Sequence, residues 1–438
     1  MNNRILKWYL QRSWFFIALT AVLAVVCFGW WQGSSADLAL TGGQLVAVGR
    51  LFGLLSAVAI LLEIVLMARI PYIEKFFDLH ENLDLHRLNG YAVLLLTVAH
   101  VVAITVGYAA PHHVNVLTEF IKINTTLEDV IWASIGTGVF TGAVAASVAV
   151  VRRRLPHELW YTIHITMYAA IGLTFLHQVN IGGDFVSQQW FEWFWYVLFG
   201  TVFTALAYWR VLRPIVKSWG HELHISQIVA EAEGVYSVYV SGHNVKAFQF
   251  EPGQYATWWV LSPGLWWQGH PFSFSGYPGQ NRLRFTVKAT GTYTEKLASA
   301  AIGSRIIVDG PRGAFTADRI STRDALLVGG GIGIAPLLVQ ARALLAEGRH
   351  VTMLYATHDP EQVAFGQELA QLQSHGLRLE HFISTQGNRL TPAALKQFLT
   401  SSSTVYICGP DRLTRPVKRY LKGLGVPPLR IITEEFNY

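Results

Sequence analysis

In the first half of this chain, apolar side chains cluster into long unbroken runs. They occupy residues near 14–32, 44–68, 88–108, 128–150, 160–179 and 190–211. Each is about twenty residues, the helix length that crosses ~30 Å of hydrocarbon, so the pattern predicts six membrane-spanning helices. The first run is long for a secretory signal and has no clean small-residue cleavage site, so it is expected to be retained. After residue 218 the pattern changes. From 222 to 318, short alternating runs with Gly and Pro punctuation, such as "FQFEPGQYATWWV", "RLRFTVKA" and "SRIIVDGP", predict a small β-barrel. From 323 onward, strand and helix patterns alternate ("ALLVGGGIGIAPLLVQARALL", "HVTMLYATHD", "TVYICGPDRL"), which predicts a parallel α/β domain. The expected domains are 1–217, a six-span α-helical bundle; 218–320, a β-barrel; and 321–438, an α/β domain.

Composition supports the membrane reading. Hydrophobic residues make up 52% of the 438 and charged residues only 14%, against ~25% charged in soluble domains. The net charge of +6 could suit a nucleic-acid partner, but the cations sit between apolar runs, as insertion orientation requires. Arg4, Lys7 and Arg12 precede the first run; Arg69, Lys75 and Arg87 lie in the second loop; Arg152, Arg153 and Arg154 lie in the fourth; Arg210, Arg213 and Lys217 follow the last. The other loops are poor in Lys and Arg. The expectation is a multi-pass protein of the inner (plasma) membrane, with both termini and everything after 218 cytoplasmic, a lipid bilayer as partner and no nucleic acid. The two cysteines, Cys27 and Cys408, form neither a disulfide framework nor a CxxC pair.

The third and fifth runs carry histidines: His86 and His100 in "HRLNGYAVLLLTVAH", His164 and His177 in "HITMYAAIGLTFLH". Imidazoles in such settings need partners. A spacing of 14 turns an ideal helix through ~1400°, about 40° short of whole turns, with a rise of ~21 Å. Both imidazoles of the third run therefore face one way at two depths. Two helices built like this can clamp two stacked haems, each iron taking one histidine from each helix. The second pair is spaced 13, which leaves its side chains ~140° apart on an ideal helix; a kink, a tilt or another approach angle is needed, and Gly172 lies between them. A lone histidine would ordinarily be a polar residue facing a bundle interior, but four paired at matching depths favour ligation. His80, His112, His113 and His157 fall in loops or at helix ends and are left out.

These residues resemble the ferric reductase and NADPH oxidase transmembrane family, in its compact prokaryotic form, over about residues 44–438. In that family a six-span core binds two b-type haems through histidines on its third and fifth helices at these spacings. The resemblance implies His86 with His164 as axial ligands of the inner haem, and His100 with His177 of the outer. Arg50, in "VGRLFGLL", matches an arginine near the outer haem of the oxidases. A haem propionate would offset its charge, as would snorkelling to the outer surface. Neither a calcium-binding loop nor an added N-terminal domain is read in the sequence.

The second half is similar to the ferredoxin–NADP reductase superfamily, through "HPFSFSG", "VKATGTYTEKL", "VDGPRGAF", "GGGIGIAP" and "YICGP" in that order. The resemblance implies an FAD site in which Phe272 stacks on the isoalloxazine and Ser273 bonds near its reactive nitrogen. His270 and Pro271 would lie toward the ribityl-phosphate side, with Lys288, Gly291 and Thr294 on the pyrophosphate. It implies a nicotinamide site at Gly329, Gly330, Gly331 and Gly333, with Cys408, Gly409 and Pro410 beside the nicotinamide. Phe436, ahead of Tyr438, would cover the flavin, so Ser273, Cys408 and Phe436 would border hydride transfer. Arg389, with His358, favours NADPH, and NADH stays open. The implied activity is NAD(P)H-dependent electron transfer through FAD and two haems to an outside acceptor. O2, reduced to superoxide, is the first expectation. A ferric or cupric metalloreductase and a relay to a periplasmic or membrane partner are the alternatives. The oxidases tend to carry a further histidine where this chain has Ile104.

Overall fold

Apolar runs of this length have one stable answer in lipid, since a helix satisfies all its backbone hydrogen bonds internally. The computed structural model describes residues 3–35, 37–74, 79–148, 154–155, 157–316 and 322–436, with the side chains of 3–12, 72, 74, 79–81, 157–158, 392 and 435–436 outside the description. Lys75, Arg152, Arg153 and Tyr438, and the side chains of Arg4, Lys7, Arg12 and Phe436, thus lie outside the described residues. The chain divides into two units, Met1–Trp209 and Arg210–Tyr438.

Among the described residues, six helical segments are long and apolar enough to cross a membrane: Ser13–Ser34, Gly43–Met67, Asn82–His112, Val130–Ser147, Leu159–Ile181 and Gln189–Gly220. The second and third spans lie close together because small residues face the partner helix. A Cβ on Gly49 would meet Ile104 at 3.0 Å, and one on Gly53 would meet the His100 ring at 2.8 Å. The fourth and fifth spans approach likewise at Gly136, where a Cβ would sit 2.9 Å from the Ala170 carbonyl. Between the third and fourth spans the structure adds an amphipathic helix, Val116–Thr126, capped by the Asn115 side chain accepting from Leu117 N–H at 2.8 Å.

In the second unit, the helix Arg213–Gly220 packs on the barrel, where Ser218 Oγ accepts from Val308 N–H at 2.8 Å. The barrel has six antiparallel strands: β1 His224–Ala232, β2 Val235–Ser241, β3 Tyr255–Leu261, β4 Gly269–Ser273, β5 Leu283–Lys288 and β6 Arg305–Arg312, in the order β4-β3-β6-β1-β2-β5. A bridge between Phe274 and Phe285 joins the two ends. The bridge draws the ends together around a core of Trp258, Phe274 and Phe285.

Five parallel strands follow: β7 Asp324–Gly330, β8 His350–Thr357, β9 Arg378–Ile383, β10 Thr404–Pro410 and β11 Ile431–Phe436, in the order β11-β10-β7-β8-β9. β11 lies at one edge of this sheet. It pairs with β10 in a register that sets Glu434 beside Cys408 and Phe436 beside Pro410.

Candidate functional site

The four span histidines meet in two pairs. The His86 and His164 rings are 6.0 Å apart between centroids at 76°; those of His100 and His177 are 6.4 Å apart at 43°. The fifth-span helix runs unbroken from His157 to Ile181, so Gly172 makes no break. The two pairs meet at different angles, 76° and 43°.

The residues fit a bis-histidine metal centre in two respects. Two metal–imidazole bonds of ~2 Å, plus ~1.2 Å from each nitrogen to its ring centre, span ~6.4 Å, the separation of both pairs. Three of the four imidazoles also face a polar group through Nδ1. His100 Nδ1 lies 2.8 Å from the Gly49 carbonyl, His164 Nδ1 lies 3.3 Å from Ser147 Oγ, and His86 Nδ1 contacts the Glu63 carboxylate. A partner on Nδ1 fixes the tautomer whose Nε2 lone pair is free to ligate. The His86–Glu63 contact is an ionic one and not a hydrogen bond, and His177 has the Thr174 backbone beside it. Trp160 stacks on His164 at 5.0 Å. Beside the His100–His177 pair is a cavity walled by Ile104, Phe120, Phe140 and Ile181, with Arg50 and Asp184 among its polar lining. Arg50 has a counter-charge from the protein: its guanidinium donates to Asp37 Oδ2 at 2.7 Å.

In the second unit, β4 carries His270, Pro271, Phe272 and Ser273. Ser273 Oγ is buried and has no partner, the state of a hydroxyl set against a ligand's polar atom. The Phe272 ring lies parallel to Phe285 at 5.4 Å and is half-buried. His270 stacks at 3.8 Å on Tyr293, a residue that the motif reading passed over although it lies between Gly291 and Thr294. Burial pushes the Tyr293 phenol up, and its hydroxyl is also unpartnered. Lys288 ends β5, and Gly291 is the N-cap of the helix Thr292–Ala298. Thr294 Oγ1 accepts from the N–H of Thr290 at 3.1 Å and of Gly291 at 3.2 Å, so it caps that helix.

Gly329 and Gly330 end β7, and Gly331–Gly333 form one turn before the helix Ile334–Ala346. Gly331 is left-handed, with φ 53°, a conformation glycine adopts freely. Cys408 is buried in β10 between Gly329 of β7 and Glu434 of β11. Burial, reinforced by Glu434, raises its thiol well above the usual value, so it is a neutral contact group rather than a thiolate. Gly409 and Pro410 lead into the helix Asp411–Gly423. The loops after β8 and β9 are joined where the Thr385 hydroxyl donates to the His358 carbonyl at 3.0 Å; His358 and Arg389 are both exposed.

Glu434 is a second residue the motifs did not reveal. Burial raises its carboxyl from 4.5 to about 8. Between those values the folded chain holds a proton that the unfolded chain has released, so stability falls as pH rises through that window. Glu434→Gln removes this component. Its thermal midpoint relative to wild type is expected to climb across the window; a constant difference would show that Glu434 titrates normally.

Three family matches follow one another along the sequence. "Ferric reductase like transmembrane component" matches residues 52–175, "FAD-binding domain" residues 224–316 and "Oxidoreductase NAD-binding domain" residues 327–419. The chain has the ferric reductase/NADPH oxidase architecture. These three domains support an NAD(P)H-dependent oxidoreductase. Flavohemoprotein A of Dictyostelium discoideum is 26% identical over 280 residues, 58% of this chain and 70% of that protein. The ferredoxin reductase component of 3-ketosteroid-9-alpha-monooxygenase of Mycolicibacterium smegmatis is 31% identical over 233 residues, 49% of this chain and 65% of that protein. For the Candida norvegensis flavohemoprotein the covered share falls to 56%, so the chain spans just over half to about two thirds of the length of these relatives. Among solved structures, the flavohem-like FAD/NAD-binding domain of nitric oxide dioxygenase from Vibrio cholerae is 22% identical with a TM-score of 0.44, covering 49% of this chain and 98% of that one.

Proposed function

We propose that the chain takes electrons from cytosolic NADPH, with NADH as the alternative donor, and passes them outward through FAD and two b-type haems to O2, releasing superoxide. The observation that supports this most directly is the pair of facing imidazoles at each of two depths, spaced as an iron between them requires. When bound, FAD accepts a hydride and releases its electrons singly, and the haems carry them through the apolar core.

The chain's residues hold these groups. His86 and His164 ligate the inner haem; His100 and His177 ligate the outer. Ser273 Oγ, Phe272 and His270 take the flavin; Lys288, Gly291 and Thr294 take its pyrophosphate. The loop Gly329–Gly333, Cys408, Gly409 and Pro410 seats the nicotinamide nucleotide, Arg389 its 2′-phosphate, and Phe436 covers the flavin. The Lys and Arg distribution favours a plasma-membrane protein with its termini and flavin module cytoplasmic.

Held from both sides by His100 and His177, the outer haem would supply an electron to the acceptor without binding it at the metal. A metalloreductase is the second reading, favoured by Ile104 where the oxidases tend to carry a histidine. Purified haem- and FAD-loaded chain is given NADPH with and without chelated ferric iron. Fast superoxide-dismutase-sensitive turnover without iron is expected. Turnover that needs the chelate would make it a metalloreductase, and no turnover with either acceptor would make it a relay to a protein partner.

A further inference from the structure

The imidazoles of the third span are backed by groups of different charge. His100 Nδ1 meets the neutral Gly49 carbonyl at 2.8 Å. His86 Nδ1 meets Oε2 of Glu63, a carboxylate from the second span. The other carboxylate oxygen is held as well: Asn89 Nδ2, one turn along from His86, donates to Glu63 Oε1 at 2.7 Å and to the Ala59 carbonyl at 2.8 Å. His164, opposite His86, has only a hydroxyl behind it, Ser147 Oγ at 3.3 Å.

A carboxylate within a membrane span is costly and calls for a functional account. Helix packing alone does not require one here, because Asn89 already binds the second span through the Ala59 carbonyl. We propose that Glu63 is a positioning residue that, through His86, lowers the potential of the inner haem below that of the outer one and so sets the direction of electron flow. The inference rests on the four histidines being axial ligands. A carboxylate set against Nδ1 makes an imidazole a stronger donor to iron and favours the ferric state more than a peptide carbonyl does. Weak screening in the apolar interior strengthens that difference. The step concerned moves one electron: the inner iron is oxidised, the outer iron is reduced, and no bond is made or broken.

Optical redox titration of the haem-loaded full chain tests this. Wild type should show two couples. Glu63→Gln keeps the side-chain shape and an oxygen for Asn89. In it the lower couple should rise by a tenfold change in its oxidised-to-reduced ratio, ~59 mV for one electron, while the upper couple stays in place. A lower couple that does not move, or two couples that move together, overturns the proposal. If Glu63→Gln loads one haem, Glu63→Asp is titrated instead: with the carboxylate drawn back by one methylene, a raised lower couple supports the proposal and an unmoved one overturns it. Haem content of wild type by pyridine haemochrome is read separately. Fewer than two haems per chain breaks the ligand reading, whereas two haems with an unmoved lower couple breaks only the role of Glu63.

Discussion

His100→Ala is expected to remove one of the two haems and to cut reduction of the outside acceptor by more than ~100-fold, given that even groups behind a ligand change metal affinity 10–100-fold. Reduction of FAD by NADPH, followed anaerobically in a stopped-flow instrument, is expected to keep its wild-type rate. The contrast follows from where the residues lie. His100 belongs to the first unit, whereas Ser273, Cys408 and the glycine loop belong to the second. Two neighbouring positions offer no second imidazole: Gly53 packs against the His100 ring with no side chain of its own, and Ile104 lies one turn further along the same helix. The substitution also removes the 2.8 Å contact with the Gly49 carbonyl, an ordinary hydrogen bond worth ~0.5–1.5 kcal/mol. His100→Gln, which can still hydrogen-bond, therefore serves as the control for folding. A His100→Ala protein that kept two haems per chain by pyridine haemochrome would overturn the ligand assignment.

The features legible in the sequence were those written in contiguous or regularly spaced residues. Six apolar runs of about twenty residues have a single structural solution in lipid, and "GGGIGIAP" between a strand and a helix declares its turn. Spacing alone suggested that His86 and His100 face one way. It left His164 and His177 ambiguous, because an ideal helix says nothing of how side-chain angles absorb a 140° offset. Glu63 was harder to find. It sits 23 positions before His86, and a lone carboxylate in an apolar run carries no mark of its partner; only the packing of the second span on the third discloses it. Tyr293 and Glu434 were missed for related reasons. The first is buried by the stack with His270. The second lies in a six-residue edge strand with two adjacent glutamates, which reads locally as a polar tail and becomes a strand only by pairing with β10. Arg50 shows the converse: a cation in an apolar run needs a counter-charge, and the fold meets that need with Asp37, thirteen residues earlier.

Gly333→Ala is the substitution expected to act most strongly on the nicotinamide side. Gly333 has φ −59°, which alanine adopts without strain, so any effect must come from the added methyl group. That Cβ would lie 2.2 Å from the Cys408 carbonyl oxygen and 2.5 Å from its carbon. Both are backbone atoms, so no rotamer change relieves the clash; either the turn or the end of β10 must move. Overpacking of this kind costs ~1–3 kcal/mol, and if it falls on the bound geometry the affinity for NADPH drops roughly 10–100-fold at 1.4 kcal/mol per decade. The displaced segment is Cys408–Pro410, so the loss should appear in the NADPH dependence of flavin reduction. FAD content, reduction by dithionite and both haem couples should stay as in wild type. Gly366→Ala is the matched control, because a Cβ there meets nothing within 4 Å, and it should leave NADPH affinity unchanged. If Gly333→Ala bound NADPH as tightly as Gly366→Ala does, the turn and the end of β10 would not jointly form the nicotinamide seat.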